Sequence, residues 1–299
     1  SFASVSRALR WILRLGLLIS LLGFFSWPWW LELFGHARVS YLCFGLCLLP
    51  LVRDRSAAIL WLGCFLINAF CVFPLYFGGS RGPANGKLLL CNALSQNPTP
   101  EKVLALLQSE RADVVVLLEV RQGLLDKLAP VLSQYPGQVL LPREDNFGMA
   151  MLSRQPLSGV QVLDSSGPPS ILADTVVAGK KLHLVGAHPV PPLGRAYARL
   201  RDETVAELGR HLQECPRPYI LLGDLNNTPW SPSLAPIRNQ ALTARAGFGV
   251  LTTWPSNFPP FLRIAIDQCF VSAEVGVVEC RVGPQVGSDH LPLVVGVSL

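Results

Sequence analysis

Lysine is missing from the first 80 residues, and acidic side chains there are limited to Glu32 and Asp54. The basic residues of that stretch are Arg7, Arg10, Arg14, Arg38, Arg53 and Arg55. A water-exposed domain of this length carries many charges of both signs, so this scarcity excludes an ordinary soluble domain at the front of the chain. The eight cysteines include no CxxC pair, which excludes a paired-thiolate metal motif. No small-x-small cleavage signal follows the first apolar run, which argues against a removed secretory leader. After Arg81 there is no Lys/Arg cluster beyond Lys180–Lys181, so the basic stripe typical of nucleic-acid enzymes is missing.

What is present at the front is apolar. Three runs stand out: "WILRLGLLISLLGFFSWPWW" (11–30), "VSYLCFGLCLLPLV" (39–52) and "AAILWLGCFLINAFCVFPLYFG" (57–78). A helix needs about 20 apolar residues to cross a bilayer, which the first and third runs supply and the second reaches only with its flanks. Residues 1–80 are therefore expected to form a transmembrane region of about three helices, with Trp27, Trp29 and Trp30 as an interfacial belt and Pro28 as a helix end. Arginines before span one and between spans two and three place those segments inside. The remainder then falls on the outer face of a bacterial inner membrane. "GGSRGPANG" (78–86) reads as a linker, with 81–86 as its core.

Residues 87–299 have the composition of a globular domain. The chain holds 25 basic and 20 acidic residues; removing the six arginines and two acids at the front leaves 19 against 18. "KLLLCNAL" and "DVVVLLEV" are buried-strand runs separated by a helix over "TPEKVLALLQSERA", with Thr99 as N-cap and Pro100 at its first position. Shorter strands follow near 138–141, 148–153, 160–163, 171–177 and 181–188. Next come a long amphipathic helix over 193–214, a strand at 219–223, a helical stretch after Ser231, and strands near 265–271, 275–282 and 292–297. Many strands with few helices predict an α+β domain of stacked sheets with helices outside. Cys269 and Cys280, on successive strands, could form a disulfide.

Polar residues interrupt these strands mainly at one end. Asn92, Glu119, His188, Asp224 and Asn226 each close a strand, Asp289 and His290 precede the last one, and Asp267 sits in "RIAIDQCFV". One aspartate at a strand end is ordinarily a turn former. Carboxylates, amides and imidazoles at so many ends instead suit a hard-metal phosphoester hydrolase. His36, His183 and His211 fit a non-functional reading, and His183 should point away from the face of His188.

"GDLN" (223–226) and "SDHLP" (288–292), with "CNA", "LLEV", "AHPVPP", "GDLNNTP" and "IDQCFVS" in order, resemble the endonuclease/exonuclease/phosphatase superfamily over 87–299. The apolar front end and "HPVPP" further resemble its membrane-anchored VanJ-like branch, associated with vancomycin and teicoplanin resistance. The resemblance implies a four-layer α/β/β/α sandwich (DNase I-like) and Mg²⁺-dependent phosphoester cleavage, with Mn²⁺ an alternative. It assigns Glu119 as principal metal ligand, supported by Asn92 and Asp289. Asp224 would activate water and Asn226 hold the nucleophile or a phosphoryl oxygen. His290 would contact the phosphate, oriented by Asp267, and His188 would donate to another oxygen. Asn146 is a weaker substrate candidate. Arg195 and Arg199, four apart on a helix, could grip a second phosphate.

A bilayer-tethered domain meets lipid headgroups at high effective concentration, and "TTWPSNFPPFLRIAI" (252–266) with "HPVPPL" could wall an acyl or isoprenoid chain. The expected substrate is thus a lipid-linked phosphate or pyrophosphate, such as undecaprenyl pyrophosphate. A membrane-anchored DNase and a catalytically idle sensor or scaffold are the alternatives.

Overall fold

The computed structural model describes residues 2–80, 82–163 and 167–299. Arg81 of the expected linker lies outside them. The chain opens with helices α1 (Phe2–Leu22), α2 (Leu33–His36), α3 (Arg38–Leu48) and α4 (Arg55–Val72). Then follow β1 (Gly86–Asn92), α5 (Glu101–Glu110), β2 (Val114–Leu118), α6 (Gln122–Leu132), β3 (Gly137–Leu141), β4 (Met149–Ser153), β5 (Ser158–Leu163), β6 (Ser170–Val177) and β7 (Lys180–Ala187). The remainder is α7 (Arg195–Glu214), β8 (Tyr219–Asp224), α8 (Ala235–Arg238), β9 (Leu242–Thr243), β10 (Asp267–Val271), β11 (Gly276–Val282) and β12 (Leu293–Ser298).

Two six-stranded mixed sheets result, ordered β11-β12-β1-β2-β4-β3 and β5-β6-β7-β8-β10-β9. Alternation along each inner strand explains the uninterrupted apolar runs. Leu88 and Leu90 of β1, and Val114, Val116 and Leu118 of β2, face the second sheet, meeting Ile220 and Leu222 of β8. Leu89 and Cys91, with Val115 and Leu117, point the other way, onto Leu106 and Leu107 of α5 and Leu128 of α6. On the second sheet Val185, Tyr219 and Leu221 turn outward to Val205, Leu208 and Leu212 of α7. Helices therefore cover both outer faces, giving the expected sandwich, and the apolar residues of β1, β2 and β8 are buried on one face or the other.

The parallel pairs β1/β2 and β7/β8 are each joined through a helix, as a parallel connection requires. Their carboxyl ends share one rim. Strands β12 and β10 run antiparallel to β1 and β8, so their amino ends arrive at that same rim, with Asp267 paired directly to Asp224 in register.

Several expectations need correction. Helix α5 begins at Glu101, one residue later than a Thr99 cap would give. Helix α6 was not predicted from the sequence; Pro130 within it breaks the helical pattern. Cys269 and Cys280 are free thiols, on strands of different sheets and buried in the same inter-sheet core. Among the described residues, one helix, Arg55–Tyr76, is long and apolar enough by itself to cross a membrane. The second expected span is a pair, Trp29–His36 and Arg38–Leu51, bent by 54°. The first is displaced: α1 ends at Leu22, short of Pro28, and takes in Arg7, Arg10 and Arg14.

The front end is docked on the sandwich by polar bonds. Glu32, fully buried, accepts from Arg201 Nη2 on α7 at 2.7 Å and from Ser233 N at 3.1 Å and Oγ at 2.5 Å. Trp230 Nε1 donates to Gly35 O at 2.5 Å, and Ser40 Oγ to Phe261 O at 2.7 Å. Leu42, Ala69, Val72 and Leu75 bury against Val250 and Ala265. Replacing Arg201 with Met leaves the Glu32 carboxylate buried without its cation, a loss of about 3–5 kcal/mol. Thermal unfolding in detergent should show the fall, with Glu32→Gln in the same background recovering part of it; an unchanged midpoint in Arg201→Met would contradict this account of the docking.

Candidate active site

Each strand end contributes one side chain to the rim. Glu119 follows β2 with φ +58, a left-handed backbone that costs a non-glycine residue on the order of 1 kcal/mol and turns its carboxylate inward. Gly148, just before β4, permits this turn, since a Cβ there would meet Val120 O at 1.9 Å. Gly223 in "GDLN" answers a similar need: a Cβ would lie 2.1 Å from Ala187 O, where β7 and β8 approach. Asn226, at φ +51, donates its backbone N–H to Asp224 Oδ1 at 3.0 Å and its Nδ2 to Pro189 O at 2.9 Å, which fixes the amide.

Around Glu119, Asn92 Nδ2 donates to Oε1 at 3.0 Å, and Ser95 N and Oγ donate to Oε2 at 3.0 and 3.2 Å. Asn92 Nδ2 also lies 3.4 Å from Asp224 Oδ2, joining the two sheets across the rim. That same oxygen lies 3.6 Å from both His188 Nε2 and His290 Nε2. His290 Nδ1 bonds Asp267 Oδ2 at 2.9 Å, where Thr253 Oγ1 also donates at 2.5 Å. Buried His188 Nδ1 has no partner.

Burial dominates the electrostatics, and the charges answer it. Burial opposes a charge on His290, but the facing carboxylates of Asp267 and Asp224 overcome it and push its pKa up to about 10. His290 is therefore an imidazolium at neutral pH. Burial would raise Asp267, yet the His290 charge, the bonds from His290 and Thr253, and Arg245 hold it below the usual range. Asp224 goes the other way: burial and Asp267 raise it against the pull of His290 and His188. Of the two carboxylates, Asp224 is the one suited to take a proton.

These groups open into a cavity of about 400 Å³ whose walls are Asn146, Phe147, Pro191, Pro192, Leu193, Trp254, Ile264 and Ile266, together with Leu33 and His36 from the front of the chain. The two segments expected as an apolar wall both contribute to it. Sequence reasoning missed Leu33 and His36; His36, read as non-functional, has a buried Nε2 with no partner. Nothing local in the sequence marks them, because they reach the rim only through the Glu32 docking. Ser95 and Thr253 were missed as well, although Ser95 stands three residues past Asn92.

Other candidates lie elsewhere. Asp289 is exposed and does not line the cavity; its Oδ2 accepts from Trp254 Nε1 at 3.0 Å. Arg195 and Arg199 line a separate groove with Trp27, Trp29 and Trp30, and Arg199 is paired to Glu203 at 2.7 Å. The first turns of α7 face the Trp27–Trp30 segment, so the structure does not bring these arginines to the rim.

The donor chemistry fits a hard divalent cation. Glu119 presents carboxylate oxygens to the cavity, no thiolate lines it, Asn92 holds Glu119 through its Nδ2, and among the described residues no Lys or Arg pairs with Glu119. Mg²⁺ prefers one or two carboxylates and keeps several waters. Asp267 Oδ2 is already engaged by His290 and Thr253, while its buried Oδ1 has no hydrogen-bond partner among the described residues.

The charge on His290 carries a pH signature. A raised pKa gives stability that is fully present below the unfolded value of 6.5 and lost as pH rises through about 10. In metal-stripped protein the denaturant midpoint should fall across that window, and His290→Asn should flatten the fall. An equal fall in the variant would contradict the assignment.

No curated protein matches the chain at the sequence level. Among solved structures, the endonuclease/exonuclease/phosphatase from Bacteroides vulgatus superposes with a TM-score of 0.61 at 19% identity, over 72% of this chain and 98% of that one. D. rerio TDP2 complexed with single strand DNA product gives 0.59 at 16%, over 71% and 98%. Beta toxin from Staphylococcus aureus gives 0.52 at 19%, over 70% and 99%. At such identities the likeness establishes the fold. The Endonuclease/Exonuclease/phosphatase family itself matches residues 89–290, which span the rim from β1 to His290. The chain belongs to this family, and is a metal-dependent phosphoric ester hydrolase.

Proposed function

We propose that the chain is a membrane-attached hydrolase of a lipid-linked phosphate or pyrophosphate, with a polyprenyl carrier such as undecaprenyl pyrophosphate as the preferred substrate. The observation that carries this reading is the wall of the cavity. Leu33 and His36, from the apolar front of the chain, stand beside Glu119, Asp224 and His290, and the remaining lining is mostly aliphatic, aromatic or proline. A nucleic acid would leave that wall unused, whereas an isoprenoid chain would bury it at about 25 cal/mol per Å².

Exposed apolar side chains on the front helices support attachment to a bilayer. Trp11, Trp27, Ile59, Phe70 and Phe77 are each more than 60% exposed. The reading places the catalytic rim at the extracytoplasmic face of a bacterial inner membrane, as the arginine distribution suggests. The resemblance to the glycopeptide-resistance branch fits work on the cell-wall lipid carrier.

A Mg²⁺ or Mn²⁺ ion at Glu119, whose carboxylate Asn92 positions, would neutralise charge on the phosphoryl oxygens. Asp224 takes the proton of a water as its oxygen bonds to phosphorus. Asn226, locked by Pro189 O, positions that water or a phosphoryl oxygen. The Nε2–H of imidazolium His290 donates to the oxygen on which charge develops, while Asp267 keeps the ring in place. His188 donates to another non-bridging oxygen as the bond to the leaving oxygen breaks.

A nuclease is the second reading, favoured by the single strand DNA product bound to D. rerio TDP2. Near-neutral charge after Arg81 and the apolar wall count against it.

Detergent-purified protein with Mg²⁺ should release phosphate from undecaprenyl pyrophosphate, and Asp224→Ala should lower the rate by roughly 10²–10⁴-fold. Plasmid nicking that depends on Asp224, without phosphate release from lipid, would overturn the proposal. Leu33→Asp should raise KM for the lipid several-fold and leave turnover of a short water-soluble phosphoester unchanged. Equal loss on both substrates would mean that Leu33 serves the fold rather than the lipid.

A further inference from the structure

At the opposite end of β7 from His188, a second group of metal-binding side chains is assembled. Five residues at about 3.3 Å each separate the two places by roughly 17 Å along the strand. His183 lies on the face of β7 turned toward α7 and meets His211 near the end of that helix, Nε2 to Nε2 at 2.8 Å. Cys215, the residue after α7, completes the group: one ligand atom from each of His183, His211 and Cys215 lies within 4.8 Å of the other two. Asp174, paired with His183 across β6 and β7, has its Oδ1 2.6 Å from His183 Nδ1.

We propose that His183, His211 and Cys215 form a Zn²⁺ site, separate from the catalytic rim, that ties the end of α7 to the second sheet. The donor set decides the metal: two imidazoles and a thiolate suit borderline-soft Zn²⁺, whereas the oxygen donors of the rim suit Mg²⁺. The tautomer of His183 already agrees. Asp174 accepts the Nδ1 proton of His183, which leaves its Nε2 lone pair pointing at His211, the carboxylate–histidine–metal arrangement seen in zinc proteins. Burial and the neighbouring His183 keep the pKa of His211 low, so its ring is neutral and can also ligate.

The protons balance. Without metal, the Nε2–H of His211 donates to His183 Nε2. On Zn²⁺ binding that proton moves to His211 Nδ1 by tautomer exchange. The Cys215 thiol, which burial otherwise holds protonated with a pKa of about 11, loses its proton to solvent as the Zn–S bond forms. A cavity of about 300 Å³ lined by Asp174, Lys181, His183 and Arg217 adjoins the His183 side of the group.

The test uses the full chain in detergent, stripped with chelator and titrated with Co²⁺ and then Zn²⁺. The expected result is a thiolate-to-cobalt absorption band that Zn²⁺ displaces. The band should be retained in Asp224→Asn and lost in both Cys215→Ser and His183→Ala. Mass-spectrometric mapping of alkylation on the unmodified chain should show Zn²⁺ slowing iodoacetamide labelling of Cys215 at least tenfold, which does not depend on any variant folding. Absence of the cobalt band, its persistence in Cys215→Ser, or equal labelling of Cys215 with and without Zn²⁺ would overturn the site.

Discussion

Two carboxylates and an imidazole are buried together where the sheets meet, and the rest of the site depends on how their charges are shared. Asp224 and Asp267 are paired in register, with 2% and 1% of their surfaces exposed. Two anions so close and so dry cannot both persist without a cation. His290 supplies it, held by Asp267 and aimed at Asp224. The result is a division of labour: Asp267 stays charged and structural, Asp224 becomes the basic member, and His290 is kept as a donor.

The topology makes this possible at little cost in backbone irregularity. Two parallel pairs send their carboxyl ends to one rim, and two antiparallel neighbours bring their amino ends to it. Side chains from residues 92 to 290 therefore meet on rigid supports. Irregularity at the rim includes Glu119 and Asn226, whose left-handed backbones turn side chains into the cavity, and Gly148 and Gly223, where the backbone passes too closely for a Cβ. The apolar front of the chain then closes the cavity on one side. A buried ion pair, Glu32 with Arg201, fixes that front segment to the sandwich.

Much of this was legible in the sequence. Buried runs ending in Asn92, Glu119, His188 and Asp224 show strand and site together, because an inner strand tolerates polarity only where it leaves the core. "IDQCFVS" and "SDHLP" likewise announce Asp267 and His290. What was not legible arises from tertiary placement. Leu33 and His36 precede the rim by more than 50 residues and carry no local motif. Arg195 and Arg199 share a helix face, but periodicity does not say what that face meets, and it meets Trp27–Trp30. Asp289 follows the family pattern, yet its side chain goes to the Trp254 indole. The pairing of His183 with His211 escaped notice because it joins a strand to a helix 28 positions away. The apolar runs marked the front helices but misplaced the first, since hydropathy does not register the break before Pro28.

The central claim is that Glu119 holds a divalent cation at the rim, with Asp224 and His290 turned to the same cavity beneath a wall supplied by the front helices. Anomalous diffraction from crystals of the full chain soaked in Mn²⁺ tests it most directly. The account predicts a strong peak about 2.0–2.2 Å from a Glu119 oxygen, on the cavity side and within reach of Asp224 and Asn92. A Mn²⁺ peak elsewhere, with Glu119 turned away or Leu33 and His36 remote from the rim, would contradict it.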